Sequence, residues 1–143
     1  MNTYQIGHLT IESMNSYANF LVIVPTLDSY QDLPVLVSSL ISQQYHNWRV
    51  IFVDGPSKHE HKLWLDKLTL YDSRFSWLEQ PSDQPGIYGA MNTGFKIANS
   101  NEWVVFWGSD DLAPNPFIFT DMNKIIAAST PFDLLFCRGR YFN

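Results

Sequence analysis

The 143-residue sequence predicts an α/β fold, a mostly parallel sheet with helices on both faces. Three observations carry that expectation. Short, fully apolar runs rich in β-branched residues recur along the chain, runs with helical spacing separate them, and several of the apolar runs end in small or acidic residues. Strands buried on both faces read as continuous apolar stretches, and alternating strands and helices are the pattern of a parallel sheet.

Residues 20–24 (FLVIV) form an apolar run closed by Pro25, a buried strand. In 33–44, Leu33, Leu36, Val37, Leu40 and Ile41 recur at helical spacing, with Asp32 as N-cap and Pro34 in the first turn. Residues 48–53 (WRVIFV) are a second strand, stopped by the turn residues Asp54-Gly55-Pro56-Ser57. A helix is expected over 60–70, a short strand over 75–79, a loop over 80–86 and a helix over 88–98, striped by Ala90, Met91, Phe95 and Ala98. A strand over 103–107, a helix over 117–128 and a last apolar strand over 133–137 complete the series. Residues 1–19, with an apolar alternation at Ile6, Leu9 and Ile11, are an N-terminal tail or an edge strand; residues 1–143 are otherwise one domain without repeats or linkers.

Composition narrows the function. Apolar residues make up 45% and charged residues 16%, a globular balance, and the net charge is −5. A nucleic-acid binder needs a basic face against phosphate, so that class is disfavoured. One cysteine, Cys137, forms no internal disulfide and points to a reducing compartment. No apolar run reaches the roughly 20 residues that cross a bilayer, and the N-terminus lacks a signal-peptide pattern. The expected location is cytoplasmic, with room for a peripheral position at a membrane.

The polar residues gather where strands end. Pro25-Thr26-Leu27-Asp28 follows the first strand, Asp54-Gly55 the second, and Gly108-Ser109-Asp110-Asp111 the later one. In parallel sheets ligands bind beyond the carboxyl ends of the strands. Asp110 and Asp111 can divide between a divalent cation and a sugar or ribose hydroxyl, since Mg²⁺ takes one or two carboxylates and completes its shell with phosphate and water; an isolated acidic pair is more often a solvated turn. Asp54 can accept from a base or ribose, or close a local turn with Gly55 and Ser57. The loop-to-helix junction at Gly86 offers free N–H groups to an anion. The histidines at 8, 46, 59 and 61 lack metal-ligand spacing and read as surface residues. Trp103, Phe106 and Phe117 read as core, with Trp107 beside the rim kept open as a sugar-stacking ring.

Taken together, "VIVPTLDSYQDLPVLVSSLISQQYHNWRVIFVDGPS", "DQPGIYGAMNTGFKIA" and "WVVFWGSDD" resemble the family 2 glycosyltransferases of the GT-A fold, over most of residues 20–116. The resemblance implies the Rossmann-like, nucleotide-binding half of that fold. It implies inverting transfer of a sugar from a nucleotide-diphosphate sugar donor to an acceptor hydroxyl, on a glycan or a lipid-linked saccharide. By this resemblance Pro25, Thr26 and Asp54 contact the base, and Asp83 lies near base and ribose. Tyr88 and Asn92 shape the donor pocket, Asp110 meets the ribose or sugar, and Asp111 holds Mg²⁺ or Mn²⁺. Asp28, Gly55 and Gly86 belong to the same donor-binding set. The sequence departs from the pattern at Pro56 and His59, at Gly89 where the family often has Asp, and at Ser109 where a strict motif has an acid.

The resemblance also implies further chain carrying the acceptor site and the general base, neither of which is assigned here; Asp121 reads as an exposed helix position and Asp133 as a strand start. Arg138 and Arg140 read as a solvated end. Two other functions remain in play: a nucleotide-binding module without transfer, and a metal-dependent phosphohydrolase. A homo-oligomer is compatible with the aromatic-rich composition.

Overall fold

The computed structural model describes residues 17–129 and 132–136. The alternation at Ile6, Leu9 and Ile11, His8, Cys137, Arg138 and Arg140 lie outside them. The order is β1 (Asn19–Thr26), α1 (Leu33–Ile41), β2 (Trp48–Asp54), α2 (His59–Tyr71), β3 (Phe75–Glu79), α3 (Gly86–Phe95), β4 (Glu102–Phe106) and α4 (Ile118–Ala128). All four strands run parallel in the order β3-β2-β1-β4, so the fold is the expected α/β class.

Side chains alternate across the sheet, and two cores result. Phe20, Val22 and Val24 of β1 join Val50 and Phe52 of β2 under α1, α2 and Phe119 of α4. The odd-numbered Leu21, Ile23, Ile51 and Val53 face the other way, toward Ala90 of α3. The central strands are therefore apolar at nearly every position, because both faces are covered. Each fully buried aliphatic or aromatic side chain contributes about 1.5–3 kcal/mol.

Polar contacts fix the remaining geometry. Arg49 of β2 and Glu102 of β4 form a bidentate pair, Nε to Oε1 at 2.6 Å and Nη2 to Oε2 at 2.8 Å, bridging across β1. Buried Gln43, just past α1, donates to the Ser39 carbonyl at 3.1 Å and the Asn115 carbonyl at 2.7 Å. The Ala113 N–H donates to Ser39 Oγ at 2.9 Å. Together these strap the segment after β4 onto α1.

Several boundaries differ from the sequence reading. Helix α1 stops at Ile41 because the Gln43 N–H turns to the Leu40 carbonyl at 3.1 Å and the Gln44 N–H leaves the helix for the distant Pro116 carbonyl at 3.0 Å. Asp32 precedes α1 but makes no side-chain cap. Helix α3 starts two residues early, at Gly86, whose φ of 77° suits a glycine. The strand expected over 133–137 is absent from its described part, 133–136, where Leu134 and Phe136 are exposed. An apolar run becomes a strand only with a ladder partner, and none of the described strands pairs with it. Phe106 and Phe117, expected in the core, are 48% and 44% exposed. Phe106 ends the edge strand β4, and Phe117 precedes the first turn of α4.

Candidate functional site

Because every strand is parallel, all four carboxyl ends lie on one edge of the sheet. The register sets Thr26 of β1 beside Asp54 of β2, and Asp54 beside Glu79 of β3. Strand β4 pairs with β1 as far as Ile23–Phe106, and the Trp107 N–H donates to the Ile23 carbonyl at 3.0 Å. The acidic pair follows directly. Asp54 and the end of β4 are two strand spacings apart, roughly 10 Å across the sheet.

Asp54 is the most enclosed group of this rim, fully buried with Thr26 buried beside it. Its Oδ1 accepts from Thr26 Oγ1 at 3.0 Å and from Ser57 Oγ at 2.6 Å. His61 Nε2 lies 3.0 Å from the same oxygen, but the ring N–H is not aligned on it, so the contact is close without being a directed hydrogen bond. Oδ2 is buried with no partner among the described residues. The local-turn alternative for Asp54 is present, with one oxygen ordering the turn through Ser57.

Asp28 acts at one remove. Its N–H donates to Ser57 Oγ at 2.9 Å, and its Oδ1 accepts the Lys58 N–H at 2.7 Å at the start of α2. It holds φ at 50°, a left-handed conformation uncommon outside glycine. The Gly55 N–H donates to the Thr26 carbonyl at 2.8 Å, and a Cβ there would meet Leu27 Cδ1 at 3.3 Å. Asp28, Gly55 and Ser57 thus tie the β1 and β2 ends into one unit, and Pro25 continues β1 opposite Val53.

The loop before α3 is closed by Gln80, whose amide donates to the carbonyls of Gln84 and Gly86. A Cβ at Gly89 would lie 1.9 Å from the Gln84 carbonyl oxygen. That accounts for glycine where the resembled pattern has Asp: the loop occupies the side-chain space. Asp83, Tyr88 and Asn92 are exposed, on the loop and on α3. The first N–H groups of α3 have no side-chain cap and carry the positive end of the helix dipole.

At the end of β4, Asp111 Oδ2 accepts the Gly108 N–H at 3.0 Å. A Cβ at Gly108 would meet Asp111 Oδ2 at 2.6 Å and Asp110 Oδ1 at 3.0 Å, so both carboxylates converge over a position that only glycine leaves open. Both are exposed. Among the described residues no cluster of three or more His, Cys, Asp or Glu forms a protein-only metal cage. The donor set fits instead a cation that takes one or two carboxylates and fills its shell with phosphate and water.

The sequence reading missed His61. It is fully buried, not a surface residue, whereas His46 and His59 are exposed. The signal was present: His61, Leu65 and Leu68 are the buried residues of α2, an i, i+4, i+7 stripe whose first member is a histidine. The Trp107 ring packs edge-on against Phe119 with centroids 6.2 Å apart, a core contact. Asp121 is exposed and paired with Lys124 at 3.3 Å, and Asp133 is exposed, so neither is set up as a base.

Comparison with known proteins decides the family. The model for "Glycosyl transferase family 2" matches residues 21–124. The chain belongs to glycosyl transferase family 2. A PGL/p-HBAD biosynthesis glycosyltransferase of Mycobacterium tuberculosis is 28% identical over 120 residues, 82% of this chain and 45% of that protein. An Escherichia coli enzyme, "UDP-Glc:alpha-D-GlcNAc-diphosphoundecaprenol beta-1,3-glucosyltransferase WfgD", is 30% identical over 64% of this chain and 34% of its own length. The family 2 chain thus spans less than half the length of these relatives.

Solved structures agree on the fold. Residues 1–349 of S. aureus TarS in complex with UDP-GlcNAc superpose with a TM-score of 0.66 at 26% identity, covering 76% of this chain and 31% of that one. A mannosyltransferase from Pyrobaculum calidifontis, in complex with GDP-Man and Mn²⁺, gives 0.67 at 22% identity over 81% of this chain and 34% of that one. Among the described residues no helix is long and apolar enough to cross a membrane.

Proposed function

We propose that this family 2 chain binds a nucleotide-diphosphate sugar across the carboxyl edge of its sheet and serves inverting transfer of the sugar to an acceptor hydroxyl. The observation that carries the reading is Asp54: a fully buried carboxylate at a strand end, one oxygen occupied by Thr26 and Ser57, the other without a partner. A buried polar atom without a partner costs about 1–3 kcal/mol, which a base N–H placed on Oδ2 would offset. Since Asp54 is closed from solvent, the base must part the rim loops to reach it.

The rest of the rim has the chemistry for the remaining parts of such a donor. Pro25 and Thr26 flank the base, and Asp83 stands on the loop toward base and ribose. Gly86, Tyr88 and Asn92 present the helix N-terminus and one wall of the donor pocket. Asp110 takes a ribose or sugar hydroxyl, and Asp111 would hold Mg²⁺ or Mn²⁺. The cation, when bound, supplies positive charge against the diphosphate as it departs. Asp28 and Gly55 hold the β1 and β2 ends in register. Support comes from the structures carrying UDP-GlcNAc and GDP-Man with Mn²⁺, and WfgD is named for a UDP-Glc donor and a diphosphoundecaprenol-linked acceptor. We take the acceptor to be a glycan or lipid-linked saccharide, and the residues present to be the donor half of one catalytic domain.

The test is calorimetric titration of UDP and GDP with Mn²⁺ and with EDTA. Binding should weaken by about tenfold or more without metal, the scale of one strong charged contact. Asp111→Ala should remove that metal dependence. Failure of both nucleotides to bind in the presence of Mn²⁺ sinks the reading. Sugar release to water or acceptor then separates a transferase from a binding module.

A further inference from the structure

We infer that Gln80 is a positioning residue for the donor: its side-chain amide ties the loop before α3 to the end of β2 and so sets the slot between them. The inference rests on the nucleotide reading of the rim above and deepens it. Its basis is one carboxamide whose two hydrogens both go to the same loop. Nε2 donates to the Gln84 carbonyl and, at 2.7 Å, to the Gly86 carbonyl.

The loop over 81–85 has little else to shape it. Pro81 and Pro85 have no N–H to give, and Ser82, Asp83 and Pro85 are exposed. Among the described residues its one internal backbone hydrogen bond runs from the Gln84 N–H to the Pro81 carbonyl at 3.0 Å. The Gln84 side chain fastens the far side of the loop to α3, where Oε1 accepts from Lys96 Nζ at 3.3 Å.

Gln80 itself is fixed by the sheet. The register sets Glu79 beside Asp54, and the Gln80 N–H donates to the Asp54 carbonyl at 2.7 Å. Its Oε1 lies 3.6 Å from where a Cβ on Gly55 would stand, and its Nε2 lies 3.0 Å from the same position on Gly89. The side chain therefore spans from the β2 end to the first turn of α3. With both amide hydrogens on carbonyls, the group cannot turn over without leaving donors opposed to donors and acceptors to acceptors. A loop held in place before the ligand arrives costs less to order on binding. Asp83, proposed above to face base and ribose, sits midway in that loop, so Gln80 decides where it stands relative to the β2 end.

The experiment titrates the tighter-binding of UDP and GDP, with Mg²⁺, into wild type and Gln80→Met, which keeps the side-chain length and removes both donors. Binding should weaken by about tenfold or more, the scale of two neutral hydrogen bonds. Backbone ¹⁵N order parameters of Ser82, Asp83 and Gln84 should fall from about 0.85 to about 0.6 or below in the variant, with the strand amides unchanged, and should return when the nucleotide saturates. A general loss of structure would loosen the strands too and would not be reversed in the loop alone. Unchanged affinity overturns the inference and leaves the nucleotide reading intact; so does weaker binding with the loop as ordered as in wild type, or a loop that stays loose at saturation. If wild type binds neither nucleotide, the nucleotide reading falls and the inference falls with it. Should Gln80→Met not fold, the Gln80 side-chain NH₂ signals of wild type decide. Both hydrogens must resonate downfield of an ordinary glutamine and stay there with nucleotide bound; ordinary positions in the bound form overturn the inference.

Discussion

At the residue scale, the rim is a set of side chains that brace one another. Asp28 holds a left-handed backbone while its carboxylate accepts the Lys58 N–H at 2.7 Å. Asn tolerates that backbone and keeps an acceptor oxygen; Ala does neither. Asp28→Asn should therefore unfold in urea within about 0.5 kcal/mol of wild type, and Asp28→Ala about 1–2 kcal/mol sooner. A loss on Asn equal to that on Ala would show that the carboxylate charge, rather than the acceptor and the backbone, holds the loop. Asp54, Asp110 and Asp111 were legible in the sequence, because acids after apolar strands are visible there. The burial of His61 is not evident from its residue type, since histidine is at home on a surface; only its place ahead of Leu65 and Leu68 in the helical stripe marks it.

At the element scale, α3 is packed closely through its glycines. A Cβ at Gly94 would stand 2.5 Å from Ile23 Cγ2, and one at Gly89 would collide with the Gln84 carbonyl at 1.9 Å. Glycine to alanine in a helix ordinarily gains up to about 1 kcal/mol, whereas overpacking costs about 1–3 kcal/mol. The clash should win at both sites, so Gly89→Ala and Gly94→Ala should each lower the midpoint of chemical unfolding. Gly89→Ala should also weaken nucleotide binding, since its clash lies on the rim loop, while Gly94→Ala should leave binding unchanged once folded. The closeness of these contacts was not in the sequence; "GIYGAMNTGF" shows that glycines are present, not what they face.

At the scale of the whole molecule, the order β3-β2-β1-β4 places β1 in the middle and lets Arg49 reach Glu102 across it. The hydrogen bonds from Arg49 hold the Glu102 carboxyl below its usual range, with burial opposing and the Asn99 N–H assisting. A depressed carboxyl stabilises the fold above its unfolded value, about 4.3, and that stability is lost as pH falls through the folded value. Unfolding followed from pH 7 to pH 2 should show this limb in wild type, and Glu102→Gln should flatten it. An unchanged acid limb in Glu102→Gln would mean that other carboxylates carry the acid sensitivity.

The sequence by itself determined the class of fold, the order of its elements and the residues that end its strands. Those follow from local facts: period, β-branched runs, turn residues and the positions of acids. It also placed Asp54 and the Asp110–Asp111 pair on one edge, because in a parallel sheet all carboxyl ends coincide. Only the tertiary structure decided which oxygen of Asp54 is left over among the described residues, that His61 lies buried against it, and that residues 133–136 pair with none of the described strands. These depend on contacts between segments far apart in the chain. Hydrogen-bond satisfaction and burial are properties of the folded neighbourhood, and no single stretch of sequence contains them.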